Sequence, residues 1–359
     1  MTASNDKGRA ARAIRENATI ATTRSTTRST TGSTAVTAHR PAPVRIDSAR
    51  STLVGPRTSV VARHDLGPCG PTDVVLRTVL CGVCASDLPE WNHPDPAQLP
   101  VAMGHEPVAT VADVGAEVRG LAEGDLVTGR LEPGFAEFLV APAVDVVKVP
   151  DGLSPDQAVG EPLGCVLEGL RQARVDVGDR VAVVGAGYMG LILVQLLRWT
   201  PVAQIVVYDP RPDARESATR NGADRAHDPG EDGAPVSARS GFDVVFEVSG
   251  SQPGLDLSTK LLRQGGTLTI LGFHQSGPRE VDLRTWNWKA VRVLNAHIRD
   301  GGRMADNIRR GLGVAASGRL DLGRLITHRF ALNQLDSAFE ALETKPAGFV
   351  KAVIDFRGP

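Results

Sequence analysis

One stretch of this chain leaves it little freedom in fold. An apolar run over 181–184 leads into Gly185-Ala-Gly-Tyr-Met-Gly190, and an apolar helical pattern continues to residue 197. Asp209 then closes the next apolar run, nineteen residues past Gly190. A Gly-x-Gly-x-x-Gly turn between a strand and a helix, with an acid about 20 residues on, is the signature of a dinucleotide-binding βαβ unit. Gly185 permits the tight turn. Gly187 lets the backbone approach a pyrophosphate, which sits on the free amides of the helix N-terminus. Gly190 lets helix and strand pack closely. Asp209 suits the adenosine ribose hydroxyls and would repel a 2′-phosphate, which favours NAD over NADP. Arg211 and Arg215 lie close by and weaken that preference.

The same periodicity continues on either side. Helical patterns over 157–173, 188–199, 213–221 and 255–262 alternate with strand patterns over 180–184, 204–208, 242–248 and 267–271. Alternation of this kind predicts an α/β fold with a doubly wound parallel sheet. After Arg299 a helix, a strand near 327–330, a helix over 335–343 and a last strand over 349–356 are expected. From Val44 to Pro150 the pattern differs: short apolar runs at 73–79, 106–114 and 135–140 are broken by Gly and Pro, which indicates a β-rich module. Residues 1–44 are rich in Thr, Ser, Ala and Arg, with Thr-Arg-Ser-Thr at 23–26 and again at 27–30. So few large apolar residues cannot offset the entropy of ordering, and a disordered tail is expected there in preference to a transit peptide.

Composition narrows the function classes. A net charge of −1 over 359 residues gives no reason to expect a nucleic-acid or anionic-membrane surface. The longest uncharged run, 181–197, contains the glycine turn and Gln195, so it reads as a strand turning into a helix and not as a membrane span. Four cysteines make no disulfide scaffold, and a cytoplasmic setting is the default.

Three short motifs carry metal-type donors: CGVCASD at 81–87, MGHE at 103–106 and EPLGC at 161–165. Cys84, His105, Glu106 and Glu161 offer the S, N and O atoms that zinc takes. Their long spacing means a site assembled by folding. A Cys81/Cys84 redox pair fits less well, because no thioredoxin-like pattern surrounds them. Glu106 and Glu161 stand among apolar, Pro and Gly residues, where an unpartnered carboxylate is costly. Cys165, four residues after Glu161, reads as a packed helix residue.

With these motifs, GDLV at 124–127, EPLGCVLEGL at 161–170 and DVVFEVSG at 243–250, the sequence resembles the zinc-dependent branch of the medium-chain dehydrogenase/reductase (alcohol dehydrogenase) superfamily. It is most similar to polyol and threonine dehydrogenases, over about Arg45 to Phe356. The resemblance implies a GroES-like catalytic domain (45–166, completed by 305–359) clasping a Rossmann domain (167–304). It implies Cys84 and His105 as zinc ligands, Glu106 as a direct or exchangeable ligand and Glu161 in the fourth position, directly or through water. Ser86 would relay the substrate proton and Asp87 would orient His105. Tyr188, Met189, Arg211, Ser249 and Gly272 would join Gly185, Gly187, Gly190 and Asp209 in holding the cofactor.

Three departures stand out. Polyol dehydrogenases often have a histidine three residues after the relay serine; here it is Pro89, so the outer relay is missing or rerouted through Glu90. Residues 128–134 lack the cysteines of a structural zinc, so a single catalytic zinc is expected. The segment 228–241 is short for a crossover helix.

The expected activity is NAD-linked oxidation of a polyol, sugar or cyclitol secondary alcohol, or reduction of the ketone, by a homodimer or homotetramer. A zinc-free enone or quinone reductase, or a non-enzymatic nucleotide-binding relative, are the alternatives. Trp286, Trp288 and His297 read as core and subunit interface. Phe273 and His274 offer an alternative pocket wall. Lys351 either approaches the pyrophosphate or is a solvated edge-strand lysine.

Overall fold

The computed structural model describes residues 46–230, 240–275 and 277–358. The proposed tail at 1–44 and most of the segment 228–241 lie outside the described residues.

Six parallel strands form the nucleotide-type sheet. In chain order they are Arg180–Val184, Gln204–Tyr208, Arg225–His227, Phe242–Glu247, Leu262–Ile270 and Arg292–Asn295. Their spatial order is third, second, first, fourth, fifth, sixth, the doubly wound arrangement. The winding reverses between Arg180–Val184 and Phe242–Glu247, and a crevice opens at their carboxyl ends. Helices cover both faces, so Val181 to Val184 are all buried and the strand reads as one apolar run. The helix Tyr188–Leu197 is buried on nearly every side, with Gln195 its polar exception. That amide donates to Asn221 Oδ1 (2.9 Å) and the Asp321 carbonyl (3.2 Å) and accepts from the Asp321 amide (2.8 Å).

Boundaries differ from the periodicity by a few residues, and some elements have no clear periodic signal. The expected helix at 255–262 is Gln252–Leu261, started by Ser251 Oγ accepting from the Gly254 amide. The hairpin Asp47–Gly55 and Thr58–Asp65 was not anticipated; its second strand is largely exposed and shows no alternation. Nor was the helix Leu283–Lys289 with the edge strand Arg292–Asn295. Lys289 is buried and donates Nζ to the carbonyls of Thr259, Lys260 and Leu262 at 2.8–2.9 Å. It thereby serves the free carbonyls where the helix Gln252–Leu261 ends.

A seven-stranded mixed sheet forms the other half. Its centre is Asp73–Gly82, flanked by Glu106–Val114 and by Lys351–Asp355, which arrives from the far end of the chain. Phe138–Pro142 also pairs with Asp73–Gly82, and Ile326–Phe330 runs parallel to Lys351–Asp355. The helix Gly160–Ala173 joins the two halves and lies along Gly301–Ala316. Glycine sets how close they come: a Cβ on Gly164 would meet Met304 Sδ at 2.6 Å, and one on Gly311 would meet the Leu163 side chain at 2.5 Å. No helix among the described residues is long and apolar enough to cross a membrane.

Candidate functional site

The candidate site begins where the central strand Asp73–Gly82 ends. Cys84 initiates the short turn Ala85–Asp87, and the Asp87 amide folds back onto the Cys84 carbonyl at 3.2 Å. This turn brings three functional atoms together. Ser86 Oγ lies 3.2 Å from Cys84 Sγ and 3.4 Å from His105 Nε2. Asp87 Oδ1 lies 3.2 Å from His105 Nδ1. With Nδ1 engaged by a carboxylate, Nε2 is the nitrogen left to face a ligand, the usual support for a metal-binding imidazole.

His105 is delivered by Gly104, whose φ of +92° suits glycine and whose missing Cβ leaves room for the Phe135 ring. Glu106 opens the next strand opposite Gly82, where any side chain would collide with the Glu106 carboxylate. The donor atoms of Cys84, His105 and Glu106 all lie within 4.8 Å of one another. Asp87 Oδ2 and Glu106 Oε2 are buried without an aligned hydrogen bond. A sulfur, an imidazole nitrogen and a carboxylate in one enclosed spot fit zinc.

Lys351 departs from the reading of a solvated edge-strand lysine: it is 4% exposed and lines a hollow with Gly187 of the glycine turn. Its Nζ lies 2.6 Å from Glu106 Oε2, donates to the Val83 carbonyl at 3.0 Å and sits 4.9 Å from the centre of the Tyr188 ring. Burial opposes the charge on Lys351, but Glu106 and then Cys84 outweigh it and hold its pKa above the ordinary value. The electrostatics of the donor group are equally strong. Burial disfavours a charged His105, yet the hydrogen bonds to Asp87 and Cys84 prevail and push it up to about 12. Burial, then the Glu106 charge, raises the Cys84 thiol.

Glu161 and Cys165 project from the helix Gly160–Ala173 into the same cavity as Cys84, Ser86 and His105. Glu161 falls outside the group of three donors and accepts from Cys165 Sγ at 3.3 Å. Burial, then Glu106, raises its carboxyl above the ordinary range. Glu90, considered for a rerouted relay, does not line this cavity. His93 shares a second hollow with Ser86, Ser249, Gly250 and Gly272. No sequence signal had singled it out.

The residues expected to hold a cofactor gather at the crevice. Gly185 has φ +108°, and a Cβ there would press on the Ser249 amide at 3.0 Å. Gly187 precedes the helix Tyr188–Leu197 and faces open space. Gly190 touches the Gly185 carbonyl. Tyr188, Met189 and Arg211 line one hollow with Gly187, Ser249 and Lys351. Asp209 accepts from the Ala186 amide at 2.8 Å and the Arg211 amide at 2.9 Å. The Arg211 guanidinium also stands 3.5 Å from its carboxylate. Arg215 is bound to Asp228 at 2.8 Å and donates to the Asp209 carbonyl at 2.9 Å. Ser249 Oγ donates to Glu247 at 2.5 Å and the Gly272 amide donates to the Glu247 carbonyl at 2.9 Å, which ties the two strand ends together. Trp286 is half-buried and bonded to Thr259, whereas Trp288 is 64% exposed.

Residues 70–151 match the family model described as the alcohol dehydrogenase GroES-like domain, and residues 189–310 match the one described as zinc-binding dehydrogenase. The chain is 27% identical to the L-threonine 3-dehydrogenase of Ruegeria pomeroyi over 328 residues, covering 80% of this chain and 93% of that protein. Among solved structures it resembles a protein of Sinorhizobium meliloti 1021 described as a zinc-binding dehydrogenase and bound to NADP. Identity there is 26%, with a TM-score of 0.75, over 87% of this chain and 100% of that one. The alcohol dehydrogenase TADH of Thermus sp. ATN1 gives 25% identity and a TM-score of 0.75, over 86% of this chain and 99% of that one.

Proposed function

The chain belongs to the medium-chain dehydrogenase/reductase (alcohol dehydrogenase) superfamily, and from that premise we propose that it transfers a hydride between a secondary alcohol of the polyol, sugar or cyclitol class and NAD, with one catalytic zinc. It is a dehydrogenase acting on CH–OH groups. The observation that carries the fuller reading is the convergence of Cys84, His105 and Glu106 beside Ser86, at the mouth of a dinucleotide crevice.

Cys84, His105 and Glu106 would hold the zinc, with Glu161, which lines the same cavity outside that group, as the candidate to complete or exchange the set. A zinc in this place supplies Lewis acidity toward the alcohol oxygen. Asp87 fixes the His105 ring by its Nδ1. Ser86 Oγ is placed to take the hydroxyl proton and pass it outward. The glycine turn and Asp209 hold the adenosine end, and Met189 and Ser249 stand where the reactive end of the cofactor meets the cavity. NAD over NADP is supported by Asp209 and by Arg215 being committed to Asp228. Alignment across the cleft is what the protein adds to the cofactor's own chemistry.

We assign 45–166 with 305–359 to the catalytic domain and 167–304 to the cofactor domain, which follows the seven-stranded and the six-stranded sheets. We further propose a homodimer or homotetramer in the cytoplasm. The edge strand Arg292–Asn295 supports self-association, because it and the adjoining helix expose Val293, Leu283 and Trp288.

The test is NAD-linked turnover of a polyol panel with zinc-replete protein, alongside elemental analysis. Stoichiometric zinc with polyol oxidation is expected, and Cys84→Ala should lose both metal and turnover. Activity that survives complete chelation would remove the zinc from the mechanism. Turnover confined to simple aliphatic alcohols would remove the polyol class.

A further inference from the structure

The cavity holding Cys84, Ser86 and His105 encloses about 310 Å³. Much of one side is apolar: Met189, Leu271 and Phe273. Such a surface suits a short carbon chain. The remaining wall carries charge that the proposed chemistry does not use. Arg130 reaches the cavity from the loop after the strand Leu126–Thr128. Arg299 reaches it from the segment between the strand Arg292–Asn295 and the helix Gly301–Ala316. One comes from each half of the molecule.

Neither guanidinium has a carboxylate within ion-pair distance among the described residues. Arg299 donates only to the Ile298 carbonyl at 3.3 Å. Arginines elsewhere behave differently: Arg57, Arg329 and Arg357 each hold a carboxylate. Both cavity arginines also line a second hollow of about 180 Å³ that contains Asp145 and Asp300 but none of the metal donors. They therefore stand where the two hollows meet. Asp300 is already used, accepting from the Arg303 amide at 2.6 Å to start its helix. The cavity itself is lined by three carboxylates, Asp87 beside His105, Glu161 beside Cys165, and Glu132.

We propose that the alcohol oxidised at this site carries an anionic group, a carboxylate or a phosphate, held by Arg130 and Arg299 while its hydroxyl faces Ser86 and the metal donors. This rests on the dehydrogenase reading above and narrows its substrate class. A guanidinium presents a planar fork of donors that matches both oxyanions, and a hydrogen bond between ions is about twice as strong as a neutral one. Glu132 lines the same cavity, and its negative charge opposes an anion bound there. His297 is half-buried, its pKa is lowered by burial, and it stacks edge-on to Phe273 at 5.6 Å. Kept neutral, it offers a hydrogen bond to a further hydroxyl of the chain.

The experiment uses the zinc-loaded full chain with NAD and matched pairs: D-glucitol against D-gluconate and D-glucitol 6-phosphate, and 2,3-butanediol against 3-hydroxybutyrate. The acidic member should show kcat/KM about tenfold or more above its neutral counterpart, a difference of about 1.4 kcal/mol. The carboxylate and phosphate arms identify which anion is favoured. Arg130→Gln and Arg299→Gln should each raise KM for the acidic substrate about tenfold and leave the neutral one within about twofold. Glu132→Gln should lower KM for the acid. Neutral polyols turned over as well as their acidic partners, or arginine variants that slow both alike, would overturn the proposal while the dehydrogenase reading stands. No alcohol of either kind turned over by protein that binds zinc and NAD would instead strike at that reading.

Discussion

At the scale of single residues the donor group is a set of protons as much as a set of atoms. Against the cost of burial, the hydrogen bonds to Asp87 and Cys84 push the His105 pKa up to about 12, and burial raises the Cys84 thiol. Zinc needs the imidazole neutral and the sulfur as thiolate, so binding must release protons. The sign is fixed: both groups are protonated at neutral pH in the free protein, and zinc affinity climbs as pH rises. Calorimetry in two buffers of different ionisation enthalpy should show proton release, and affinity should increase from pH 6 to pH 8. A flat affinity over that range would contradict the arrangement. The grouping of Cys84, His105 and Glu106 was legible because each sits in a compact local motif. Lys351 was not. Its partner Glu106 is remote in the chain, and its neighbours in GFVKAVI suggest only a strand. The usable signal was a lone charge inside an apolar strand, which needs a buried counter-charge.

At the scale of elements, periodicity located the parallel sheet well because its strands are buried on both faces and its helices are strongly apolar. It failed where the pattern belongs to a surface. The strand Thr58–Asp65 is exposed along most of its length, and Leu283–Lys289 is held mainly through Lys289 and Trp286. Replacing Lys289 with Met would leave three carbonyls short of their donor. Thermal or denaturant unfolding should show a loss of about 1–3 kcal/mol with cofactor affinity unchanged. A second element-level device ties the turn Pro155–Gln157 to the strand Lys351–Asp355. Asp156 and Asp355 each bond to both Arg329 and Arg357, at 2.6–3.0 Å. Burial would raise the Asp355 pKa, but the hydrogen bonds and charge of Arg357, with help from Arg329, hold it at about 2. A carboxylate depressed in the folded state stabilises above its unfolded pKa and ceases to do so as pH falls through the folded value. Asp355→Asn should therefore cost about 0.5–1 kcal/mol at neutral pH. Its stability should converge with that of the parent between pH 4 and pH 2, as followed by urea titration. A deficit that persists undiminished at pH 2 would point to lost packing instead.

At the scale of the whole molecule, the sequence motifs were enough to foresee two modules, but the packing that brings them together was beyond reach. The glycine contacts between Gly160–Ala173 and Gly301–Ala316 depend on which faces meet, and no local pattern encodes that. The outer edge of the parallel sheet gives a further expectation. Val293→Lys places charge on the exposed edge strand, where it should weaken self-association. Light scattering coupled to size exclusion should show a shift toward monomer, with zinc content preserved. An unchanged mass would place the subunit contact elsewhere. The closing of the mixed sheet by Lys351–Asp355 also bears on how the molecule comes into being. Lys351 reaches back across 268 residues to the Val83 carbonyl, one position before Cys84. On a ribosome, the strand that walls the metal pocket emerges only after the entire nucleotide sheet has been made. The nascent protein can thus own a finished cofactor platform while the candidate metal site still lacks the side that Lys351 supplies.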